Sequence, residues 1–446
     1  MSTDLAAVVM AGGLGTRMRS AVPKHLHPLL GRRVVDWVIE AARDAGAEPV
    51  VVVASPETEA AYADVVVAVQ SKPLGTGDAV ASARTSLEGF DGRVLVLDAA
   101  APLLTGEHVG ALVDEHARQE AAVTILTIEP DRPLPYGRVV RRADGGVERI
   151  VEEKDASEAE RSIRELNSSI YVFQATALWE SLEKLDAANA QGEHYLTDTV
   201  AHIVAAGGRA AAWPCPEPLA GVGINTRAEL AVAAAALRYR VNEAHMLAGV
   251  TIVDPASTWI DEDVVLEADA VVHPFTVLRG RTTVAEGAEI GPHVVAVDAS
   301  IGAGAIVGPF CYLRPGTVLD AGAKAGTFVE IKKSRIGART KVPHLSYIGD
   351  AEIGEDTNIA AGNITANLSH DPSRGKGKTT IGKNVRTGVD NTFVAPVTVG
   401  DDAWVWSGTV VTDDVPPGSL AGFPPKQETK EGWVYERGEP GEHGDD

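Results

Sequence analysis

The sequence predicts an α/β domain, a linking helix and a parallel β-helix of hexapeptide repeats, in that order. Three observations carry this. Over residues 1–228 short β-rich apolar runs alternate with amphipathic stretches. From Arg227 to Leu247 the chain is rich in Ala, Leu and Glu and free of Pro and Gly. Beyond Gly249 an apolar or small residue recurs every sixth position.

In the first region Ala6–Met10, Pro49–Ala54, Arg93–Leu97 and Ala122–Ile128 read as buried strands. Val34–Ala45 and His108–Gln119 read as helices between them. Such alternation favours a parallel sheet with helices on both faces. We expect this domain over 1–228, the linker over 229–249 and the β-helix over 250–425. In the β-helix, Ile301, Val307, Leu313, Leu319, Ala325 and Ile331 stand six apart. A step of five reaches Ile336, and sixes resume through Val342 and Ile348. Another five reaches Ile353, then Ile359, and a second block runs Ile381, Thr387, Phe393, Val399, Val405, Val411. Each turn of a β-helix stacks one apolar residue per face, and neighbouring turns cover one another's edges. A β-sandwich would alternate at two and break roughly every 8–12 residues, so sustained sixes speak against it. The stretch Leu368–Lys378 interrupts the repeat and reads as a loop thrown out of the coil. Residues 426–446, rich in Glu and Gly, read as a flexible acidic tail.

At 446 residues the chain is too long for one ordinary core. A hydrophobic fraction of 45% with 23% charged residues is that of a soluble globular protein. Forty Lys and Arg against 62 Asp and Glu give a formal charge of −22. That balance argues against nucleic acid as a partner, because Lys and Arg must neutralise its phosphates. Small phosphorylated substrates stay compatible with a local cationic pocket. Cys215 and Cys311 are far apart and lack metal-ligand spacing, which fits two reduced thiols. The start, MSTDLAAVVMAGG, has no basic n-region, and no apolar run approaches a membrane span. A cytoplasmic protein without a membrane partner is expected.

The first predicted strand runs into Gly12-Gly13-Leu14-Gly15-Thr16-Arg17-Met18, followed by Pro23-Lys24. Glycines at a strand end let backbone N–H groups approach a pyrophosphate closely. Arg17 and Lys24 supply fixed positive charge where it is needed as a phosphoryl group transfers.

GGLGTRM and PKHLH are followed in order by QSKPLGTGDAV, YGRVV, VEEKDA, NSSIYVF and GEHYLTD. YLRPG, FVEIKK, KVPHLSYIGD and NIAAG then follow within the repeats. Over about residues 5 to 425 this set resembles the bacterial bifunctional family of N-acetylglucosamine-1-phosphate uridylyltransferase and glucosamine-1-phosphate N-acetyltransferase. The resemblance implies a Rossmann-like nucleotidyltransferase domain, a left-handed β-helix, a homotrimer and a place in UDP-N-acetylglucosamine synthesis. It implies that Gly13 and Gly15 cradle the nucleotide's phosphates, while Gln70, Gly75 and Thr76 read the uracil edge and ribose. Gly137, Glu152 and Asn167 would hold N-acetylglucosamine, and Asn225 would be a ligand of Mg²⁺.

One departure bears on that metal. The family's other ligand, an Asp in Y-G-D-x-P-L, falls on Ala100 in Leu97-Asp98-Ala99-Ala100-Ala101-Pro102-Leu103. Mg²⁺ needs oxygen at short range, and a methyl group offers none. Asp98 lies two residues earlier, about 6.6 Å along a strand, so it would serve only if the strand end shifts. Weak Mg²⁺ binding and impaired uridylyl transfer are therefore expected. Asp78 also stands where the family has His.

On the β-helix the resemblance assigns Arg314, Lys332, Tyr347, Asn358 and Lys376 to glucosamine 1-phosphate. His344 would be the general base, since acetylating an amine requires a proton to leave as nitrogen attacks a thioester. Glu330 would orient it. Ala361, Asn367, Val389 and Ser407 would meet acetyl-CoA or another acyl-CoA. This donor side departs from the family. Asn367-Leu368-Ser369-His370 replaces Asn-Tyr-Asp-Gly, and Val389 fills a Ser position. Trp404 and Trp406 stand where small residues are usual, and the closing Arg gives way near Pro424. Acyl transfer to the amine of glucosamine 1-phosphate, or of a related amino sugar phosphate, is the activity expected. Two alternatives stay open: an acyltransferase with another donor or acceptor, and a catalytically silent trimeric scaffold that binds a UDP-sugar.

Overall fold

The computed structural model describes residues 4–437, apart from 14, 369, 370, 372, 374 and 424–426. It divides into two compact units, Met1–Arg240 and Val241–Asp446, so the division falls inside the long helix rather than beside it.

The first unit contains strands β1 (Leu5–Ala11), β2 (Val50–Ala54), β3 (Val66–Val69), β4 (Arg93–Asp98), β5 (Val123–Ile128), β6 (Arg138–Arg141), β7 (Val147–Val151), β8 (Leu166–Gln174) and β9 (Ala210–Pro214). Its main helices are α1 (Val34–Asp44), α2 (Thr76–Ser82), α3 (Gly106–Arg118), α4 (Ala175–Leu182), α5 (Asp198–Ala205) and the part of α6 (Arg227–Leu247) up to Arg240. The strands form one sheet in the order β9-β5-β8-β4-β1-β2-β3, with β6 joined to β8 and β7 to β6. The central strand β1 reads LAAVVMA with no polar position, because both of its faces are covered. One core packs Val35, Val38 and Leu112 of α1 and α3 beneath the sheet. The other packs Val80, Leu178 and Val200 of α2, α4 and α5 above it. Helices thus lie on both faces, as expected. The sheet, however, is mixed: β8 runs antiparallel to both β4 and β5. The reason is the connection. A hairpin, β6–β7, follows β5 in place of a crossover helix, so the chain re-enters the sheet reversed.

The second unit is a parallel β-helix of three ladders. The first face includes Lys324–Thr327 and Lys341–His344 and continues through bridges at Asn358 to Arg386–Thr387, Trp404–Val405 and Leu420–Ala421. The second includes Tyr312–Leu313, Glu330–Lys332, Tyr347–Gly349 and Ile364–Ala366. The third runs from Val265–Leu266 to Val397–Val399. In the two-residue strands the second residue is the hexad anchor and points inward. Leu313, Ile336, Val342 and Val399 are completely buried. At the corner between the first and second faces sit Phe275, His293, Phe310, Phe328 and Leu345, all with positive φ. Their four rings form a stacked column with centroids 4.8, 4.8 and 5.3 Å apart. The excursion leaves the coil between Ile364–Ala366 and Thr379–Ile381, its base closed by an antiparallel bridge from Leu368 to Lys376. Cys215 and Cys311 are buried free thiols. Among the described residues no helix is long and apolar enough to cross a membrane.

Candidate functional site

The glycine loop leaves β1 and passes over Gln70: a Cβ at Gly12 would fall 2.6 Å from Gln70 Oε1. Gly13 faces open space, and Gly15 takes φ +66°, where a Cβ would meet the Lys24 side chain at 2.7 Å. Thr16–Met18 then forms a single 3₁₀ turn, pinned by the buried Met18. The turn projects Arg17 to Asn225, whose Oδ1 accepts from Arg17 Nη2 at 3.0 Å and from Lys24 Nζ at 3.4 Å. His25, next in sequence, is buried and held neutral; burial first, then Lys24, pulls its pKa down to about 4.

Asp98 belongs to this cluster. It ends β4 in register with Met10 of β1, and its Oδ1 accepts from Ala100 N–H at 3.0 Å while lying 3.8 Å from Lys24 Nζ. Ala100 is fully buried, and its carbonyl is taken by Ile224 N–H at 2.7 Å. A carboxylate oxygen and an amide oxygen therefore converge on one ammonium. This arrangement also fits a divalent cation, with Asp98 and Asn225 as its protein ligands. The donor set is thin, since among the described residues no group of three or more His, Cys, Asp or Glu gathers to hold a metal. Tyr136 closes the back of the cluster through Gly223 N–H, which donates to its hydroxyl at 3.1 Å. Burial, with Asp98 nearby, pushes this phenol up to about 12.

The residues expected from the resemblance to meet base and sugar are equally tied to one another. Gln70 Nε2 donates to Gly75 O at 3.0 Å and to Asp78 Oδ2 at 2.8 Å. Neither acceptor can donate, so the amide is fixed with Oε1 toward the glycine loop. Asp78, the residue that departs from the family, thus sets the orientation of Gln70. Gly75 has φ +119°, and a Cβ there would lie 2.5 Å from His194 O. Thr76 Oγ1 accepts from Leu196 N–H at 3.0 Å. Gly137 O accepts from Asn167 N–H at 2.9 Å, and Asn167 Nδ2 donates to Tyr171 Oη at 2.7 Å. Glu152 Oε1 accepts from Thr197 Oγ1 at 3.1 Å, and burial raises its pKa.

On the β-helix the second face brings together Arg314, Glu330, Tyr347, Lys332 and Lys376. Tyr312, Glu330 and Tyr347 occupy one outward position on successive coils. Arg314 Nη1 donates to Glu330 Oε1 at 2.8 Å. Lys332 lies against Lys376, and that contact is the first cause of its lowered pKa. Asp350 bridges Lys332, at 3.9 Å, and the amide of Asn367. Asn367 therefore stands with the cationic cluster, not with the other donor-side residues. His344 ends its strand on the first face, exposed, with Thr327 as its Cα partner. Asn358 lies on the same first-face ladder, bridged to Lys341 and Arg386. Glu330 meets Arg314, and no hydrogen bond joins it to His344 among the described residues. Ala361, Val389 and Ser407 repeat the corner place of His344 on later coils. Leu345 N–H bonds Thr327 O, Asp390 N–H bonds Ala361 O and Gly408 N–H bonds Val389 O, at 2.8–3.0 Å. At the neighbouring place the aromatic column ends with Phe328; Gly362 and Gly408 follow later. Trp404 and Trp406 are 61% and 41% exposed, so neither indole fills the coil. Ser369, His370 and Pro424 lie outside the described residues.

A family described as MobA-like NTP transferase domain matches residues 7–207. The Bifunctional protein GlmU of Streptomyces coelicolor is 47% identical over 96% of this chain and 94% of its own length. That of Corynebacterium efficiens is 44% identical over 97% and 94%. The chain belongs to the GlmU family. A third relative, the Bifunctional protein GlmU of Trichlorobacter lovleyi, is 44% identical over 97% of the chain and 98% of its own length.

Within this GlmU-family chain, sequence reasoning passed over Asp350, Tyr136 and Thr197. All three stood inside quoted motifs, in YIGD, beside GRVV and in HYLTD. Their signal was a polar residue adjoining an assigned one. Nothing in the one-dimensional pattern says that Asp350 would link Lys332 to Asn367.

Proposed function

We propose that the chain transfers an acyl group, acetyl foremost, from acyl-CoA to the amine of glucosamine 1-phosphate, and that its first unit binds UTP or a UDP-sugar with slow uridylyl transfer. The observation that carries the first part is the pairing of Lys332 and Lys376 beside Arg314. Two ammonium groups in contact repel each other, and a bound phosphate dianion relieves that repulsion while accepting charge-assisted hydrogen bonds. Tyr347, one coil above Glu330, would orient the sugar. His344 would take the proton from the amine as its nitrogen attacks the thioester carbonyl. The new C–N bond replaces the C–S bond, and the thiolate leaves to be protonated.

His344 and Asn358 belong to the first-face side, while the cationic cluster belongs to the second face. A homotrimer that apposes first and second faces of neighbouring copies would complete the site, which supports that assembly. In the first unit Arg17 and Lys24 would hold the nucleotide's phosphates, with Asp98 and Asn225 as ligands of Mg²⁺ when it is bound. Mg²⁺ would there neutralise charge on the transferring phosphoryl group. Slow turnover follows from a site in which Asp98 also serves Lys24 and the Ala100 N–H. Two separate assays on purified protein test this reading: thiol release from acetyl-CoA with glucosamine 1-phosphate, and pyrophosphate release from UTP with N-acetylglucosamine 1-phosphate and Mg²⁺. The reading predicts a robust first rate and a weak second. Silence in the first, with other acyl-CoAs also inert, would refute it.

A further inference from the structure

We infer that the first unit carries a second anion-binding pocket, for a small phosphorylated ligand, between the loop after β5 and the turn before β8. The cavity is about 260 Å³ and is lined by Arg132, Arg138, Arg161 and Arg164, with Asp131 and Leu166. That is below the roughly 300 Å³ at which pockets for drug-sized ligands begin, so the occupant is of pyrophosphate size. Four guanidinium groups gather here in a chain whose formal charge is −22. Their local partners do not balance them. Arg138 is 4% exposed and pairs with Glu153 at 2.6 Å, while its Nε has no hydrogen-bond partner. Arg161 shares the same Glu153 at 3.7 Å. Arg132 and Arg164 have no ion pair or hydrogen bond among the described residues. By contrast Arg141 and Arg149, on the neighbouring hairpin, are matched to Glu165 and Glu160.

Planar guanidinium groups converging from several directions suit an oxyanion with many acceptor oxygens. The buried Arg138 with its unpartnered Nε is the fixed element, and Arg132 and Arg164 supply the exposed arms. The pocket is separate from the glycine loop: it uses neither Arg17 nor Lys24. It adjoins the residues that the resemblance expects to hold N-acetylglucosamine. Arg138 follows Gly137, Leu166 precedes Asn167, and Arg138 pairs with Leu166 across β6 and β8. An anion drawn onto Arg138 therefore steadies the backbone bond from Asn167 N–H to Gly137 O.

The test is isothermal titration of the full chain with inorganic pyrophosphate, comparing wild type with R132Q/R164Q and R17Q/K24Q. Arg132 and Arg164 are exposed, so their Gln variants keep the fold, which circular dichroism checks. Two binding events are expected in the first unit of wild type, in addition to any on the Lys332 and Lys376 cluster of the β-helix. R132Q/R164Q should weaken one of them at least tenfold, and R17Q/K24Q should abolish the other. Hydrogen exchange of the Asn167 amide in R17Q/K24Q should slow on adding pyrophosphate. Titrations of R132Q/R164Q that superimpose on wild type would overturn the proposal. Because these readouts need no sugar or turnover, they stand apart from the fate of the sugar-site reading.

Discussion

Replacing Asp98 by Asn separates two roles that the structure assigns to one carboxylate. Asn keeps an oxygen for the Ala100 N–H, now bonded at 3.0 Å, and removes only the charge that faces Lys24 at 3.8 Å. At that distance the bare Coulomb attraction is about 4 kcal/mol for an effective dielectric near 20. Both side chains keep some solvent access, 17% and 25%, so the net loss of stability should shrink to about 1 kcal/mol. Asp98→Ala should cost roughly 1–3 kcal/mol more, because a buried N–H then loses its acceptor. Metal affinity should respond differently. Either variant removes the carboxylate that shares Lys24 with the Asn225 amide oxygen, so binding should weaken at least about tenfold, matching what even indirect ligand loss costs. Urea unfolding measures the first quantity, and titration with Mn²⁺ followed by electron paramagnetic resonance measures the second. If D98N binds Mn²⁺ as wild type does, Asp98 is only the partner of Lys24, and the metal assignment fails.

Gly75→Ala forces a Cβ to within 2.5 Å of a backbone carbonyl at φ +119°, and should destabilise by at least about 2 kcal/mol in urea unfolding. Gly46→Ala, also at positive φ but with open space around it, should cost about 1 kcal/mol; equal costs would contradict the packing described. His25 and His116 are buried with pKa values near 4, below the unfolded value near 6.5. Unfolding therefore takes up protons below pH 6.5. The stability they contribute is present above that value and falls away toward pH 4, by up to about 3 kcal/mol each. Unfolding free energies measured across this window should drop with acid and drop less steeply in H25Q; an unaltered slope would contradict burial of a neutral imidazole. Lys332→Gln should raise KM for glucosamine 1-phosphate about tenfold with little change in KM for acetyl-CoA, as loss of a charged hydrogen bond to phosphate requires. A shift confined to acetyl-CoA would contradict the phosphate assignment.

The β-helix was legible because its periodicity leaves little choice. Anchors from Ile301 to Val411 point inward on one place per face, and even the five-residue steps at Ile336 and Ile353 fall on strands. The helix Arg227–Leu247 was equally plain, since nothing in it breaks a helix. Strand direction was not. The run Leu166–Gln174 is apolar enough to be a strand, but its reversal depends on the hairpin before it, which hydrophobicity does not encode. Within the first site, motif spacing placed Arg17, Lys24 and Asn225 on the page without showing that one amide oxygen takes both cations. The shared role of Asp98 was invisible for the same reason: Lys24 and Asn225 come from distant parts of the chain and meet it only in three dimensions. Asp78 looked like a defect, yet it holds Gln70 in a single orientation.

The claim on which the rest depends is that His344 removes a proton from an amine bound beside Lys332 and Lys376. The initial rate of thiol release from acetyl-CoA with glucosamine 1-phosphate, wild type against H344A, measures it directly. The rate should fall by about 10²–10⁴-fold in the variant, with KM for the sugar phosphate nearly unchanged. An H344A rate equal to wild type would show that this imidazole takes no part in the chemistry.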